Sequence, residues 1–337
     1  SLNVLTGWDT RDYSNEGGAG SRPARSNSKN AISNGVDNTD GTFTITLDPI
    51  PGTATGSGVI AIEGHPRAES VVGSGTFDIS IPVRGEVAYF AITDATANER
   101  RVAVDITNKC DNCHDKLSLH GNNRADNAQL CVICHNPRNT DVGRRPKTAG
   151  GIPDTAATAD GKREETIDMK VMIHAIHAGE KDDSTTSAVE GHGFRETGVK
   201  IYGFGSSLHA YNDMRFPGIL KDCTTCHNTG TYELTGTWKS PTQNGILSTT
   251  VQSVPNAVDA ATYTSGLADQ TDDLVISPTA AVCSACHDDA LAKAHMESIG
   301  GGQFNVSQAA VTGTVETCAL CHGPGRSADV KLVHGIE

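Results

Sequence analysis

Aromatic residues, basic residues and long apolar runs are all scarce in this chain, and each shortage excludes something. Phe, Tyr and Trp make up 4% of the 337 residues, so the side chains alone offer little material for a large core. No run approaches the roughly 20 apolar residues that span a bilayer. The formal net charge of −13 argues against nucleic acid and anionic membrane as partners. Ser1 does not open a charged and then apolar leader, so we expect any export signal to be removed already or to lie outside this sequence.

The ten cysteines are the most informative residues, because every one belongs to a C-x-x-C-H motif. In such a motif both thiols form thioether bonds to a haem, and the His binds the iron. A thioredoxin-type dithiol or half of a zinc site also uses C-x-x-C, but five repeats that all end in His favour haem. We therefore predict five covalently attached haems c, which would supply the missing core and leave no cysteine for a disulfide. The motifs are Cys110/Cys113/His114, Cys131/Cys134/His135, Cys223/Cys226/His227, Cys283/Cys286/His287 and Cys318/Cys321/His322.

The distribution of the motifs divides the chain into two predicted domains. Residues 1–107 hold no motif, and their apolar residues alternate in the segments 42–47, 59–62, 77–81, 87–92 and 102–106. Short alternating segments between turn clusters predict an antiparallel sandwich or small barrel. Residues 108–337 carry all five motifs, so we predict a haem-packed domain of short helices and loops. One helix is predicted from Glu164 to Gly179, with Thr166 as a candidate start.

Each haem iron needs a sixth ligand, and eight of the thirteen histidines lie outside the motifs. His174 and His177 are three apart on the predicted helix, so they share a face and can serve two neighbouring haems. His120 follows the first motif closely and His295 follows the fourth, and we expect both to bind iron. For the fifth distal position, the sequence leaves two candidates open, His209 and His334.

Two further histidines and one methionine are interpreted as residues without a ligand role. His65 lies between Gly64 and Pro66, and His192 lies between two glycines, so we expect both at the surface. Met296 is adjacent to His295 and could raise the haem potential as an axial ligand, but packing is the preferred interpretation.

With two His ligands and the four porphyrin nitrogens, all six coordination positions of a haem iron are filled, and the predicted activity follows from this. Such a haem has no place for a substrate, so the sequence predicts an electron carrier rather than an enzyme. The alternative is a multihaem reductase with one open haem, although all five motifs here end in the ordinary His.

Charged clusters give weaker signals. Asp182-Asp183 and the segment Asp269 to Asp273 could bind Ca²⁺, but neither matches a loop with defined ligand positions, so a solvated acidic surface is preferred. The basic residues Arg144, Arg145 and Lys147 are expected to meet haem propionates or solvent.

Several segments resemble the pentahaem domains of the OmcA/MtrC family of outer-membrane cytochromes. The resemblance covers residues 110–337 and is carried by CDNCHDKLSLHGNNR (110–124), CVICHNP (131–137), MIHAIHAG (172–179), RFPG (215–218) and CALCHGPG (318–325). The preceding β region is similar in kind to the Greek-key split-barrel domains of that family. Members usually contain two such halves, and this chain contains one.

The resemblance implies bis-His haems and electron delivery at the outer cell surface. Implied acceptors are insoluble metal oxides, soluble shuttles such as flavins, and other multihaem cytochromes. Because no cysteine pair lies in the β region, a tightly bound flavin is not expected. Covalent haem attachment outside the bacterial cytoplasm agrees with an extracellular location.

Six distal candidates for five irons raise a question of assembly. Either His209 or His334 is spare, or one of the six binds a haem of a neighbouring copy. The second case would create a head-to-tail contact that can repeat into a filament. We expect His334 to be the crossing ligand in that case, because chain ends are exposed.

Overall fold

The computed structural model describes residues 2–8, 27–47, 49–50, 52, 54–181, 193–234, 238–239, 242–243, 246–311 and 315–336. The chain forms two compact units. The first unit comprises the described residues up to Cys134, together with Thr224–Tyr232. The second comprises the described parts of His135–Cys223 and Glu233–Glu337.

The regular elements of the first unit are short. Its strands are β1 (Leu2–Trp8), β2 (Asn27–Asn30), β3 (Gly35–Asp37), β4 (Phe43–Ile45), β5 (Ser57–Gly64), β6 (Arg67–Glu69), β7 (Phe77–Ser80), β8 (Glu86–Ala91), β9 (Ser118–Leu119) and β10 (Arg124–Ala125). Its helices are α1 (Ala31–Asn34), α2 (Asp111–His114) and α3 (Ala128–Cys134), and a π-helical turn covers Ile106–Cys110.

An antiparallel sheet in the order β2-β1-β5-β8 is the centre of the first unit. Strand β5 alternates as its sequence predicts, with Val59 and Ala61 buried and Ile60 and Ile62 exposed. The buried face packs against Leu130 and Ile133 of α3, and all four inward residues are 0–4% exposed. Each buried aliphatic side chain contributes roughly 1.5–3 kcal/mol, so α3 is part of the core of this sheet.

The predicted strands are confirmed in part. Strands β4, β5, β7 and β8 fall inside or overlap four of the predicted segments, and β3/β4 and β6/β7 form hairpins. The fifth prediction, 102–106, is wrong as a strand: Val104 makes one isolated bridge, with His227, and the π-helical turn begins at Ile106. Alternation alone does not make a strand where only one residue finds a partner. The sandwich or Greek-key split barrel stays a prediction.

The second unit combines helices with small sheets. Its strands are β11 (Lys200–Tyr202), β12 (Leu208–Ala210), β13 (Trp238–Lys239), β14 (Thr242–Gln243), β15 (Ile246–Leu247), β16 (Thr249–Gln252), β17 (Leu274–Ile276) and β18 (Val306–Ser307). Its helices are α4 (Met169–Ala178), α5 (Ala260–Ala268), α6 (Pro278–Ser284), α7 (Ala290–Ser298), α8 (Gln308–Val311), α9 (Ala319–His322) and α10 (Val330–His334). Helical 3₁₀ turns cover Phe204–Ser206 and Cys223–Thr225.

Helix α4 begins later than the sequence predicts. Asp168, which is completely buried, is the N-cap, and its carboxylate accepts hydrogen bonds from Lys170 N (3.4 Å) and the Thr249 hydroxyl (2.6 Å). Thr166, the predicted start, instead forms a β-bridge with Thr140. Both residues suit an N-cap, and the bond with Thr249 of β16 favours Asp168. The predicted stop at Gly179 is confirmed, since Gly179 is the C-cap.

Arg145 is a buried ionic centre of the second unit. Its guanidinium donates to Asp141 (2.9 Å), Asp160 (2.6 Å) and the backbone carbonyls of Lys162 and Lys200 (both 3.1 Å). Its side chain is 0% exposed, so the expectation that it meets propionates or solvent is wrong. Burying a guanidinium requires nearby carboxylates and carbonyls. Asp141 lies four residues before Arg145, and the other partners come from 15 to 55 residues later in the chain.

No helix within the described residues is both long and apolar enough to cross a membrane.

Candidate haem-attachment sites and axial ligands

Short helical segments hold the C-x-x-C-H motifs. The first lies at α2, the second ends α3, the third begins a 3₁₀ turn, the fourth spans the end of α6, and the fifth lies at α9. A helical turn brings residues three apart onto one face, which suits attachment of both thiols of a motif to one haem; Cys226 and Cys286 lie just beyond their helical segments. None of the ten cysteines forms a disulfide. The motifs therefore present five separate pairs of thiols.

Five thiols, which belong to four of the motifs, differ from those of a redox-active dithiol. Burial raises the pKa of Cys110, Cys131 and Cys286 to about 11, and that of Cys283 and Cys318 to about 12. A thioredoxin-type cysteine needs a lowered pKa, so the dithiol alternative finds no support at these four motifs.

No metal-binding cluster supports the zinc or calcium alternatives. In the part of the chain that the structure describes, no group of three or more His, Cys, Asp or Glu is placed to hold a metal ion. This includes the segment Asp269 to Asp273, whereas Asp182-Asp183 lies outside the described residues.

The second cysteines of three motifs differ in their exposure. Cys113 of the first motif and Cys321 of the fifth are exposed, whereas Cys226 of the third is half-buried. Cys226 lies close enough to Cys110 for its charge to contribute, after burial, to the raised pKa of Cys110. None of these sulfurs is in a disulfide, and a reduced thiol is the form that a thioether bond to haem consumes. Haem attachment at Cys113, Cys226 and Cys321, as at the other seven cysteines, stays a prediction.

Several motif histidines are held in the tautomer that binds a metal. The Nδ1 atom of His135 lies 2.9 Å from the Ile167 carbonyl, and that of His322 lies 2.8 Å from the Ala328 carbonyl. A carbonyl can only accept, so Nδ1 carries the proton and Nε2 keeps its lone pair. At His227, Nδ1 lies 3.3 Å from the Thr231 hydroxyl, which directs its own proton to backbone carbonyls. The same tautomer follows there.

Distal candidates on helices show the same arrangement. His177 donates from Nδ1 to the Ile173 carbonyl (2.9 Å), and His334 to the Val330 carbonyl (2.8 Å). Burial lowers the pKa of His174, the neighbouring His177 lowers it further, and a hydrogen bond with the Lys170 backbone opposes both. The lowered pKa of His174 favours its neutral imidazole. In His177 and His334 the Nδ1 hydrogen bond leaves Nε2 as the nitrogen that can bind a metal.

Two pairs of imidazoles face each other within the second unit. The ring centroids of His287 and His334 are 6.2 Å apart at an interplanar angle of 62°. Those of His295 and His322 are 6.1 Å apart at 87°. With metal–nitrogen bonds of about 2 Å, two imidazoles on opposite sides of one metal have centroids about 6 Å apart. Both pairs therefore leave the space that one iron needs.

Apolar side chains beside these pairs are exposed. Leu291 is 83% exposed, Leu320 66%, Leu332 67% and Val333 52%. They lie on α7, α9 and α10, the helices that carry His295, His322 and His334. A flat apolar porphyrin attached at the neighbouring cysteines would cover such side chains. Donor tautomers, ring separations and apolar surroundings all fit haem.

The remaining candidates differ in their surroundings. His120 is exposed with a φ of 55°, in the turn between β9 and β10 of the first unit, and its carbonyl accepts from the Asn123 amide (2.9 Å). His209 is exposed on β12, and its Nε2 lies 3.2 Å from the Ser207 hydroxyl of the same hairpin. The nitrogen that would bind iron is thus engaged locally in His209.

Predictions for the residues without a ligand role had mixed outcomes. Met296 is 7% exposed, which agrees with packing. His65 is half-buried with both ring nitrogens shielded from solvent, so its expected surface position is wrong. His192 lies outside the described residues.

The motifs and the geometry of their surroundings fit a c-type cytochrome. Residues 101–335 match the family model described as outer membrane cytochrome MtrC/MtrF-like, domains II/IV, and the chain belongs to this family. The crystal structure of MtrC from Shewanella baltica OS185 is similar at 18% identity and a TM-score of 0.44, over 96% of this chain and 45% of that chain. The chain thus spans less than half the length of that structure. No curated protein matches the sequence significantly.

Proposed function

We propose that this chain transfers electrons outside the cell through five bis-His haems c. In this proposal, one haem is attached at each C-x-x-C-H motif, and residues 108–337 form the pentahaem domain that follows an all-β domain of residues 1–107. Family membership supports the haem chemistry and a location at the outer cell surface. The observation that carries the proposal is the two pairs of neighbouring imidazoles, with centroid separations of 6.1 and 6.2 Å.

The geometry supports two of the six distal candidates directly, and three others follow from what remains. His334 faces His287, so we assign it to the fourth haem, and His295 faces His322, so we assign it to the fifth. His120, His174 and His177 then serve the first three haems. His209 is left over, which agrees with the engagement of its Nε2 by Ser207.

The chain's residues determine what these haems can do. When bound, each haem supplies reversible one-electron chemistry. Two imidazoles per iron keep every coordination position filled, and the carbonyl partners of His135, His177, His322 and His334 hold the rings in place. The protein therefore passes electrons on without binding a substrate at iron, and we propose no enzymatic step.

The proposed partners follow from location and chemistry. Electrons would arrive from other multihaem cytochromes and leave to metal oxides, soluble shuttles or further cytochromes. The intrachain position of His334 favours the interpretation in which the extra imidazole is spare. A filament stays an alternative, with His209 as the remaining crossing candidate.

Mass and spectroscopy test the proposal together. The intact mass of matured protein should exceed that of the polypeptide by five haems, and the haems should resist acid-acetone extraction because thioethers are covalent. The reduced protein should show low-spin haem spectra that do not change with carbon monoxide. Fewer than five haems would refute the stoichiometry. A carbon monoxide adduct in the unaltered protein would instead favour the multihaem reductase with one open iron.

A further inference from the structure

Glu316 is a buried carboxylate between the elements that carry the fourth and fifth motifs. It is 1% exposed and precedes Cys318 of the fifth motif by two residues. It accepts hydrogen bonds from the Ser277 hydroxyl (2.6 Å) and from the backbone N–H groups of Thr279 (2.8 Å) and Ala280 (2.9 Å). These donors surround the start of α6, the helix that ends at the fourth motif. One carboxylate thus connects the segment just before the fifth motif to the start of the helix that ends at the fourth motif.

The surroundings of Glu316 fix the position of its carboxylate and strengthen its field. Three hydrogen-bond donors hold the carboxylate in place, and the side chain is 1% exposed. Removal of water lowers the local screening, so a buried charge acts on its neighbours more strongly than a surface charge at the same distance.

The field of Glu316 reaches the cysteines of both motifs. Burial raises the pKa of Cys318 to about 12, and the charge of Glu316 adds to the rise. At Cys283, burial comes first, then Cys318, and then Glu316, and together they raise the pKa to about 12. Both sulfurs are points of covalent attachment, so a porphyrin at either motif lies within this field.

A positive charge close to the fourth motif, that of Arg195, is paired with a carboxylate. The positive charge of Arg195 acts to lower the pKa of Cys286 against the effect of burial. Arg195 forms an ion pair with Asp288 (3.3 Å), and both side chains are at most 16% exposed. The pair of Arg195 and Asp288 contributes little net charge, so Arg195 does not cancel the effect of the Glu316 charge at the fourth motif.

We propose that Glu316 is a fixed negative charge that lowers the reduction potentials of the haems at the fourth and fifth motifs. Reduction adds an electron to the haem, and a nearby buried anion opposes that electron, so the oxidised form is favoured. The inference rests on the haem attachment proposed above. In this proposal Glu316 acts through its field, so it is a tuning residue rather than an iron ligand.

A spectroelectrochemical titration of the holoprotein tests this role. In Glu316→Gln, the reduction potentials of two of the five one-electron components should rise. At a fixed applied potential, the ratio of reduced to oxidised haem should increase at least tenfold for each of these two haems. That factor corresponds to about 59 mV for a one-electron couple. Glu316→Asp, which keeps the charge, should restore most of the original titration curve.

Glu297→Gln is the matched control, because Glu297 lies on α7 near His295 with a side chain 45% exposed. Solvent screens that charge, so its curve should stay close to that of the unaltered protein. A second neutral variant, Glu316→Met, distinguishes loss of the charge from any effect of the new glutamine amide in Glu316→Gln. An unchanged curve in both neutral variants, or a shift that Glu316→Asp does not reverse, overturns the inference.

Haem content separates this inference from the proposed function. Fewer than five haems in the unaltered protein would refute the proposed function itself. Five haems with an unshifted titration in the neutral variants would refute only the role of Glu316. Loss of haem from both neutral variants, with retention in Glu316→Asp, would assign Glu316 a purely structural role and also overturn the inference.

Discussion

Replacing His334 by Ala distinguishes the two candidates that the sequence leaves open. His334 faces His287 at 6.2 Å and donates from Nδ1 to the Val330 carbonyl at 2.8 Å. Removing the imidazole empties one side of the space between the two rings. If an iron lies there, it becomes five-coordinate in the variant, and carbon monoxide can bind to it when reduced.

The expected size of this effect follows from the number of motifs. One haem in five should respond, so about one-fifth of the Soret absorbance should shift on addition of carbon monoxide. His209→Ala is the matched control, because His209 is exposed and its Nε2 contacts Ser207 of its own hairpin. It should remain insensitive to carbon monoxide, like the unaltered protein.

The two variants can give results that contradict this reasoning. If His209→Ala binds carbon monoxide and His334→Ala does not, the ligand assignment is reversed. If neither variant responds, another residue serves the fourth haem, and the 6.2 Å separation does not report ligation.

Two further predictions concern stability and can be measured by chemical denaturation with the haem absorbance as the signal. Arg145→Met leaves Asp141 and Asp160 buried without their cation, so the free energy of unfolding should fall by about 3–5 kcal/mol. Arg144→Met, at an exposed neighbour, should change the free energy of unfolding by less than about 0.5 kcal/mol. Equal effects of the two substitutions would refute the role of burial. Leu130→Ala should cost about 2–5 kcal/mol, because Leu130 is 2% exposed in the sheet core. Leu119→Ala, at a side chain 55% exposed, is its control, and a Leu130 effect no larger than that of Leu119 would show that α3 does not support the sheet.

Local chemistry explains what could be predicted from the sequence. A C-x-x-C-H motif specifies its cofactor through covalent spacing. The spacing of His174 and His177 likewise predicts a shared helix face without knowledge of the fold. Gly179 ends α4 as predicted because a glycine stops a helix through its own backbone freedom.

What depends on distant partners could not be predicted. His209 and His334 are each a single His in an unremarkable segment, and only packing brings His334 to His287. Asp141 lies four residues before Arg145, but Asp160 and the carbonyl of Lys200 reach the guanidinium only through the fold, so the burial of Arg145 could not be predicted. Glu316 is a further case, because its donors at Ser277 and beyond lie almost forty positions earlier.

The helix that carries the second C-x-x-C-H motif also forms one wall of the sheet core in the first unit. Leu130 and Ile133 alternate with Cys131 and Cys134 along α3, and they cover Val59 and Ala61 of β5. A graft or truncation made at residue 107 would therefore expose the apolar face of the sheet, even though no haem motif precedes that point. Exchange of the β region between related cytochromes should succeed only with a joint beyond α3. The β sheet and the first two haem-attachment motifs would then be exchanged as one piece.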